Sequence, residues 1–355
     1  EIFDMMKLCW IHDDSEQARE QYGFLTQTCG YIDFESRGRL CLTGKDRKAF
    51  LHGQVTQDVK NLAAGTGTFS ALADGKGKIQ ADLNIYCLTD ELLLDFNVGL
   101  IDMVKERLER YLVSEDVDII DPSEFYTMVS LQGPQAVKVL QNVFPNVSLP
   151  TDAWSFLEVS CGDDGGIYVC HRPRCGLAGF DLFIPKAISS EWSETLKSAV
   201  RTLGGGVVED TALRMAGIET GVPMMGNDMC DDILVQETGL ETQAVSYQKG
   251  CYIGQEVISR IRTMGKVNKA LRRLEFETFP QLEDGMELSI MSGDQVAGFV
   301  TSAAVVPVGP SRVSGLGYIK RAFLESNEPL TCKDLSGSEI PVKVMGLPSA
   351  LGFPA

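Results

Sequence analysis

The amino-acid sequence predicts an α+β protein of layered strand pairs and single packing helices, ending in a small β-barrel. Three features predict it. Ile79, Ala81, Leu83, Ile85 and Cys87 alternate with Lys78, Gln80, Asp82 and Asn84, a period of two that marks a strand with one buried face. Strand pairs then alternate with single helices, the pattern of α+β layers. After Lys269 the helical period disappears, and short apolar runs are separated by Gly, Pro and Asp, as in a small barrel.

Taken in order, residues 1–30 are polar and weakly patterned, a helix or a loose lead-in. Arg39 to Thr43 reads as a strand, turned by Gly44 and Lys45 into a helix that Asp46 caps and that carries Phe50, Val55, Val59 and Leu62 until Gly65 and Gly67 break it. The strand through Ile79–Cys87 puts Asp82 opposite its apolar face, where it can meet a ligand or water. Leu92 to Phe96 is its hairpin partner. A helix follows with Ile101, Val104, Leu108 and Tyr111 or Leu112 on one side. Tyr126 to Leu131 is a strand, and Gly133-Pro134 starts a short helix through Val137, Leu140 and Val143. Ile167 to Cys170 and Phe180 to Ile184 are strands, and the helix with Ile188, Trp192, Leu196 and Leu203 ends at Gly204-Gly205-Gly206. The barrel strands are Leu274–Glu277, Met286–Ile290, Ala297–Thr301 and Gly315–Ile319. The order of elements repeats, the sequence does not. At ~100–200 residues per domain, 355 residues allow two or three domains. The reading is residues 30–268 as two interleaved α+β domains and 269–355 as the barrel.

Composition narrows the function. A net charge of −17 repels phosphate backbones and anionic lipid heads, which argues against nucleic acid and membrane partners. The densest basic cluster, Arg260, Arg262, Lys266, Lys269, Arg272 and Arg273, is where an anionic ligand is expected. No apolar stretch approaches the ~18–20 residues that span a bilayer. Glu1-Ile2-Phe3-Asp4 is not a signal peptide. The ten cysteines are scattered without framework spacing, which fits free thiols in a reducing compartment: a cytoplasm, or a mitochondrial or plastid matrix after loss of a targeting segment. Cys161, Cys170-His171 and Cys175 match no zinc spacing, so no metal site is expected.

The most informative run is Lys249-Gly250-Cys251-Tyr252-Ile253-Gly254-Gln255-Glu256. Its glycines permit a tight path, and Gly254 can open a helix through Arg262 whose first N–H groups are free. A thiol held beside that helix start and Lys249 gains thiolate character; the alternative is a tight loop with a buried cysteine.

This run resembles the signature of the YgfZ branch of the YgfZ/GcvT family, whose organellar members support iron–sulfur proteins. Leu42-Thr43-Gly44-Lys45-Asp46, Leu131-Gln132-Gly133-Pro134, Gly179-Phe180-Asp181-Leu182-Phe183 and Val300-Thr301-Ser302 fit the same family, so the resemblance spans about residues 30 to 320. It implies a three-domain cloverleaf of the aminomethyltransferase folate-binding type, with ferredoxin-like layers and a C-terminal barrel around a folate channel. It also implies tetrahydrofolate or a one-carbon derivative as cofactor. Glu237, in Gln-Glu-Thr-Gly-Leu, matches the family's pterin-holding acid, and one carboxylate can accept a ring amino group and ring N–H together. Asn97 matches a pocket asparagine. Asp228 matches a Tyr-Gly-x-Asp-Met turn with Met225 at the Tyr. Tyr252 belongs to the signature, and Arg260 or Arg262 would meet the folate tail. Where aminomethyltransferases carry two adjacent acids this chain has Ala81-Asp82. The expected function is a tetrahydrofolate-binding protein that supports assembly or repair of iron–sulfur client enzymes through Cys251. The alternatives are an aminomethyl or methyl transferase using Asp82, and a scaffold that has lost the ligand. The spatial expectation is that Asp82, Glu237 and Cys251 border one hollow.

Overall fold

The computed structural model describes residues 7–34, 37–162, 165–265, 267–307, 309–326 and 328–347. Among these residues the strands form a five-stranded sheet, a six-stranded sheet and a closed barrel sheet.

The five-stranded sheet runs Thr66–Ala73, Ile79–Cys87, Leu92–Asn97, Arg37–Thr43, Asp118–Ile120, all antiparallel. Period two divides its side chains. Leu40, Leu42, Ala81, Leu83, Ile85, Leu92 and Leu94 pack under the helices Arg47–Gln54 and Ile101–Glu109, against Phe50, Leu51, Val104 and Leu108. The opposite face carries Arg37, Arg39, Cys41, Asp82, Asn84, Leu93 and Asp95, and it turns toward the second sheet.

That second sheet runs Gly206–Val207, Gly30–Asp33, Tyr126–Gln132, Gly179–Pro185, Gly166–His171, Phe156–Ser160. Its outer face packs Val129, Leu131, Phe180 and Leu182 under the helices Ala136–Val143 and Ser189–Thr202. Each sheet is therefore covered by two helices on the outside, and the two meet face to face.

The barrel closes in the order Gln295–Val306, Ser289–Ser292, Leu330–Lys333, Glu339–Met345, Lys269–Phe276, Arg312–Lys320, with the last strand pairing back on the first. Cys9–Ile11, from the opposite end of the chain, adds to it parallel to Ser302–Ala304.

Several expectations are corrected here. The helix after Asp46 ends at Gln54; Val55 is extended, although Val55 and Val59 still reach the same core. Asp46 does not cap it, because its carboxylate accepts the Asp116 N–H at 2.9 Å. Gly65 is followed by the edge strand Thr66–Ala73, which the alternation did not reveal. Ile79 leaves the Ala81 face and joins the inter-sheet core, where the ladder shifts register between Leu72 and Ala73. The lead-in contains the helix Glu16–Gln27, capped by Ser15 on the Ala18 N–H at 3.1 Å.

Candidate functional site

Between the two sheets lies a network of buried ions. Asp95 and Asp181 are fully buried. Asp95 meets Arg37 at 2.8 Å and Arg174 at 2.6 Å; Asp181 meets Arg174 at 2.7 Å and accepts the Ser130 hydroxyl at 2.7 Å. Burial alone would raise the Asp95 carboxyl, but Arg174 and Arg37 reverse this and hold it well below the ordinary carboxylate range. Asn84 donates to Asp95 at 2.9 Å and accepts from Trp154 Nε1 at 2.8 Å and Arg172 Nε at 2.9 Å. The network ties one sheet to the other.

Over it opens a cavity of about 360 Å³, within the ~300–1,000 Å³ range of small-molecule sites. Its floor is Asp82, Asn84, Arg37, Arg172 and Arg174; one wall is the helix Asp210–Thr220, through Asp210, Leu213, Arg214 and Gly217; the other is the Val222–Asp228 segment. Two groups on this floor are incompletely paired. Asp82 Oδ1 is buried without a donor, while the residue keeps accessible surface in the cavity. Its carboxyl is raised, chiefly by burial and against the pull of Arg37. Arg172 is buried and has no carboxylate, since Arg174 holds both nearby ones. Burial and Arg174 push its guanidinium down to about 10. Arg172 donates to Asn84 and to the Pro173 carbonyl, so it brings charge without an ion pair; with the unpartnered Asp82 Oδ1 it suits a ligand with N–H groups and an anionic or carbonyl group.

The predicted site residues separate into three places. Asp82, Asn97 and Asp228 border this cavity. Asn97 and Asp228 are already committed. Asn97 Nδ2 donates to Met225 O at 3.2 Å, and Oδ1 accepts from Gly99 N at 3.0 Å. Buried Asp228 accepts from Thr301 Oγ1 at 2.5 Å, Ser302 Oγ at 2.6 Å and Met224 N at 3.0 Å. It therefore clamps the cavity wall to the barrel, and burial raises its carboxyl despite these donors.

Glu237 is elsewhere. It is buried, accepts from Leu234 N at 3.2 Å and faces Lys269 at 3.8 Å. It is not among the residues lining the cavity. The same Glu-Thr-Gly string recurs as Glu219-Thr220-Gly221 at the end of the cavity helix, with Glu219 ion-paired to Arg312.

Cys251 is exposed, and the loop around it docks on the end of the helix Arg47–Gln54. Lys249 Nζ donates to the carbonyls of His52, Val55 and Gln57, the last two at 2.7 and 2.9 Å. Burial lowers this ammonium to about 8. Its charge is thus spent on carbonyls. Tyr252 is buried beneath it, 4.8 Å from Nζ to ring centre. Gly254, at φ 86°, starts the helix Gln255–Met264; a Cβ there would lie 2.5 Å from Asp74 O, so only glycine fits. Arg260 and Arg262 are exposed on that helix, Arg262 stacking 4.0 Å over Tyr247. Of Asp82, Glu237 and Cys251, only Asp82 is among the described residues that line this cavity. The cavity's arginines are Arg37, Arg172, Arg174 and Arg214 instead of the predicted basic cluster, of which Lys266 lies outside the described residues. Cys170 and Cys175 are buried and Cys161 half-buried.

Comparison with known proteins adds a family. A model described as the GCVT N-terminal domain matches residues 12–249. An aminomethyltransferase of Exiguobacterium sibiricum is 27% identical over 296 residues, covering 81% of this chain and 78% of that one. The "tRNA-modifying protein YgfZ" of Edwardsiella ictaluri is 28% identical over 295 residues, covering 81% and 82%. The solved glycine cleavage system aminomethyltransferase T from Bartonella henselae superposes with a TM-score of 0.80 at 20% identity, covering 94% of this chain and 90% of that one, which is a likeness of fold. With the family model spanning most of its length, this chain belongs to the GCVT N-terminal domain family and has the aminomethyltransferase-type α+β fold with a closed C-terminal β-barrel.

Proposed function

We propose that the protein binds a reduced folate in the Asp82 cavity and transfers a one-carbon unit to or from it. The single observation that carries this reading is Asp82 Oδ1, a carboxylate oxygen buried beside the cavity without a hydrogen-bond donor. Relatives named aminomethyltransferase, at 24–27% identity, support the reaction class.

Tetrahydrofolate supplies nitrogen atoms able to carry a one-carbon unit. The chain supplies the setting. Asp82 accepts N–H groups and takes up a proton; burial raises its carboxyl, which favours holding that proton. Arg172 offers a buried cation to an anionic or carbonyl group. Asn97 and Asp228 keep the Val222–Asp228 wall in place rather than touching ligand. Ala81 stands where the family's other acid would be, so Asp82 acts without an adjacent carboxylate on its strand. The test is to mix the protein with tetrahydrofolate and an aminomethyl-loaded lipoyl carrier protein. Formation of methylenetetrahydrofolate that disappears in Asp82→Asn is expected. No product, or product unchanged in the variant, overturns the reading.

A second reading rests on the Lys249–Glu256 run: support of iron–sulfur client enzymes through Cys251. Its support is the exposure of this thiol on a loop rigidly anchored by Lys249. In cells lacking the native protein, Cys251→Ser should then fold and fail to restore iron–sulfur enzyme activity; full rescue would reduce the thiol to a surface residue.

A further inference from the structure

The inter-sheet seam holds a second hollow. Along the strand Arg37–Thr43, Arg37 pairs with Asn97 at the folate-cavity end and Cys41 pairs with Leu93 at the other. At the Cys41 end lies a hollow of about 170 Å³, walled mainly by Leu88, Leu93, Tyr126, Tyr168 and Phe183. It is smaller than the ~300–1,000 Å³ of drug-sized sites, so its ligand is small. Phe125 and Ile120, 63% and 44% exposed, frame its mouth.

Two charged residues stand in these apolar walls. Arg39 is only 3% exposed. Its Nη1 donates to Tyr126 O at 2.9 Å, and its Nε is buried with no acceptor. The carboxylates its charge feels are engaged elsewhere: Asp95 with Arg37 and Arg174, and Asp121 with the Ser123 N–H. A buried guanidinium left this way calls for an oxygen acceptor. The second residue is Glu91, half-buried, which lines the hollow together with Cys41 and whose carboxylate has acceptor capacity.

We infer that this hollow binds an apolar α-amino acid, with its carboxylate on Arg39, its ammonium on Glu91 and its side chain against Leu88, Leu93 and Phe183. A simple anion would meet the repulsion of Glu91, and a simple cation that of Arg39. A dipolar ligand satisfies both, and the apolar walls select its body.

Calorimetric titration of the full chain with L-leucine and L-phenylalanine tests this, beside 4-methylpentanoate, which is leucine without the ammonium, and isoamylamine, which is leucine without the carboxylate. At least one amino acid should bind, with both truncated probes at least tenfold weaker. Glu91→Gln and Arg39→Lys should each weaken amino-acid binding at least tenfold. Should Arg39→Lys fail to fold, the half-buried Glu91→Gln decides alone. The inference is overturned by an absence of heat and thermal shift with both amino acids at millimolar concentration. It is equally overturned by 4-methylpentanoate binding as tightly as leucine, or by Glu91→Gln leaving leucine binding unchanged.

Discussion

The floor of the Asp82 cavity and the Cys251 loop solve opposite problems. On the floor, Asp95, Asp181, Arg37 and Arg174 pair with one another, and that base leaves Asp82 Oδ1 without a partner and Arg172 without an ion pair among the described residues. In the loop, the buried group is the one fully satisfied: Lys249 caps three carbonyls, and the reactive atom, Cys251, stands in solvent with no built surroundings. The difference teaches where selectivity can reside. A shaped, dry, charged hollow can choose a small molecule. A thiol on an anchored surface loop suits encounter with a large partner, which brings its own surface.

Substitutions can break or sharpen this contrast. The largest effect is expected at Asp82. Asp82→Asn keeps the shape and removes the proton acceptor, so one-carbon transfer should fall about 100- to 10,000-fold while circular dichroism stays unchanged. Stability should move the other way. Because the folded-state pKa of Asp82 is raised, its ionisation costs stability above that pKa, and the cost vanishes as pH falls through it. Thermal melts should therefore show Asp82→Asn above wild type at neutral pH, with the gap closing toward acid.

Next comes the floor itself. Asp95→Ala strands the Arg37 guanidinium and leaves Arg174 with Asp181 alone, and should cost roughly 3–5 kcal/mol in denaturant melts. The sign with pH is opposite to that of Asp82: the Asp95 carboxyl is depressed, so its contribution is present above the unfolded carboxylate pKa and lost as pH falls toward the folded one.

In the loop, Lys249→Met removes three charge-assisted bonds, yet it also relieves a costly buried charge, so a net loss of about 1–3 kcal/mol is expected. Hydrogen exchange should localise the change to residues 249–254. Cys251→Ser should be the smallest, within about 0.5 kcal/mol, with folate binding untouched. A drop in folate affinity for Cys251→Ser would erase the distinction between the two regions.

Legibility in the sequence follows the physics of each signal. Strand alternation has a period, so Asp82 could be assigned to the face opposite Ala81, Leu83 and Ile85, and the structure puts that face toward the cavity. Helices with apolar stripes, such as Ile101–Glu109 and Ser189–Thr202, were equally readable. Arg172 and Arg174 were not, because the Arg172-Pro173-Arg174 stretch is a loop without period, and only the meeting of two sheets gives it meaning. Glu237 was selected in the run Gln236–Leu240, whose Glu-Thr-Gly core recurs at Glu219–Gly221, and local sequence cannot tell which copy adjoins a cavity. Lys249 was read by its nearness to Cys251, but a flexible four-carbon stem lets an ammonium leave its sequence neighbours for a helix end. The strand Cys9–Ile11 escaped notice because three residues carry too little pattern; its partner lies across the whole chain.

The central claim is that the Asp82 cavity is the folate site. A crystal structure of the full chain with folinic acid tests it most directly. The account predicts ligand density between the Asp210–Thr220 helix and the inter-sheet floor, with ring nitrogens at the Asp82 carboxylate. Density bound anywhere else, with this cavity holding only solvent at saturating ligand, would contradict it.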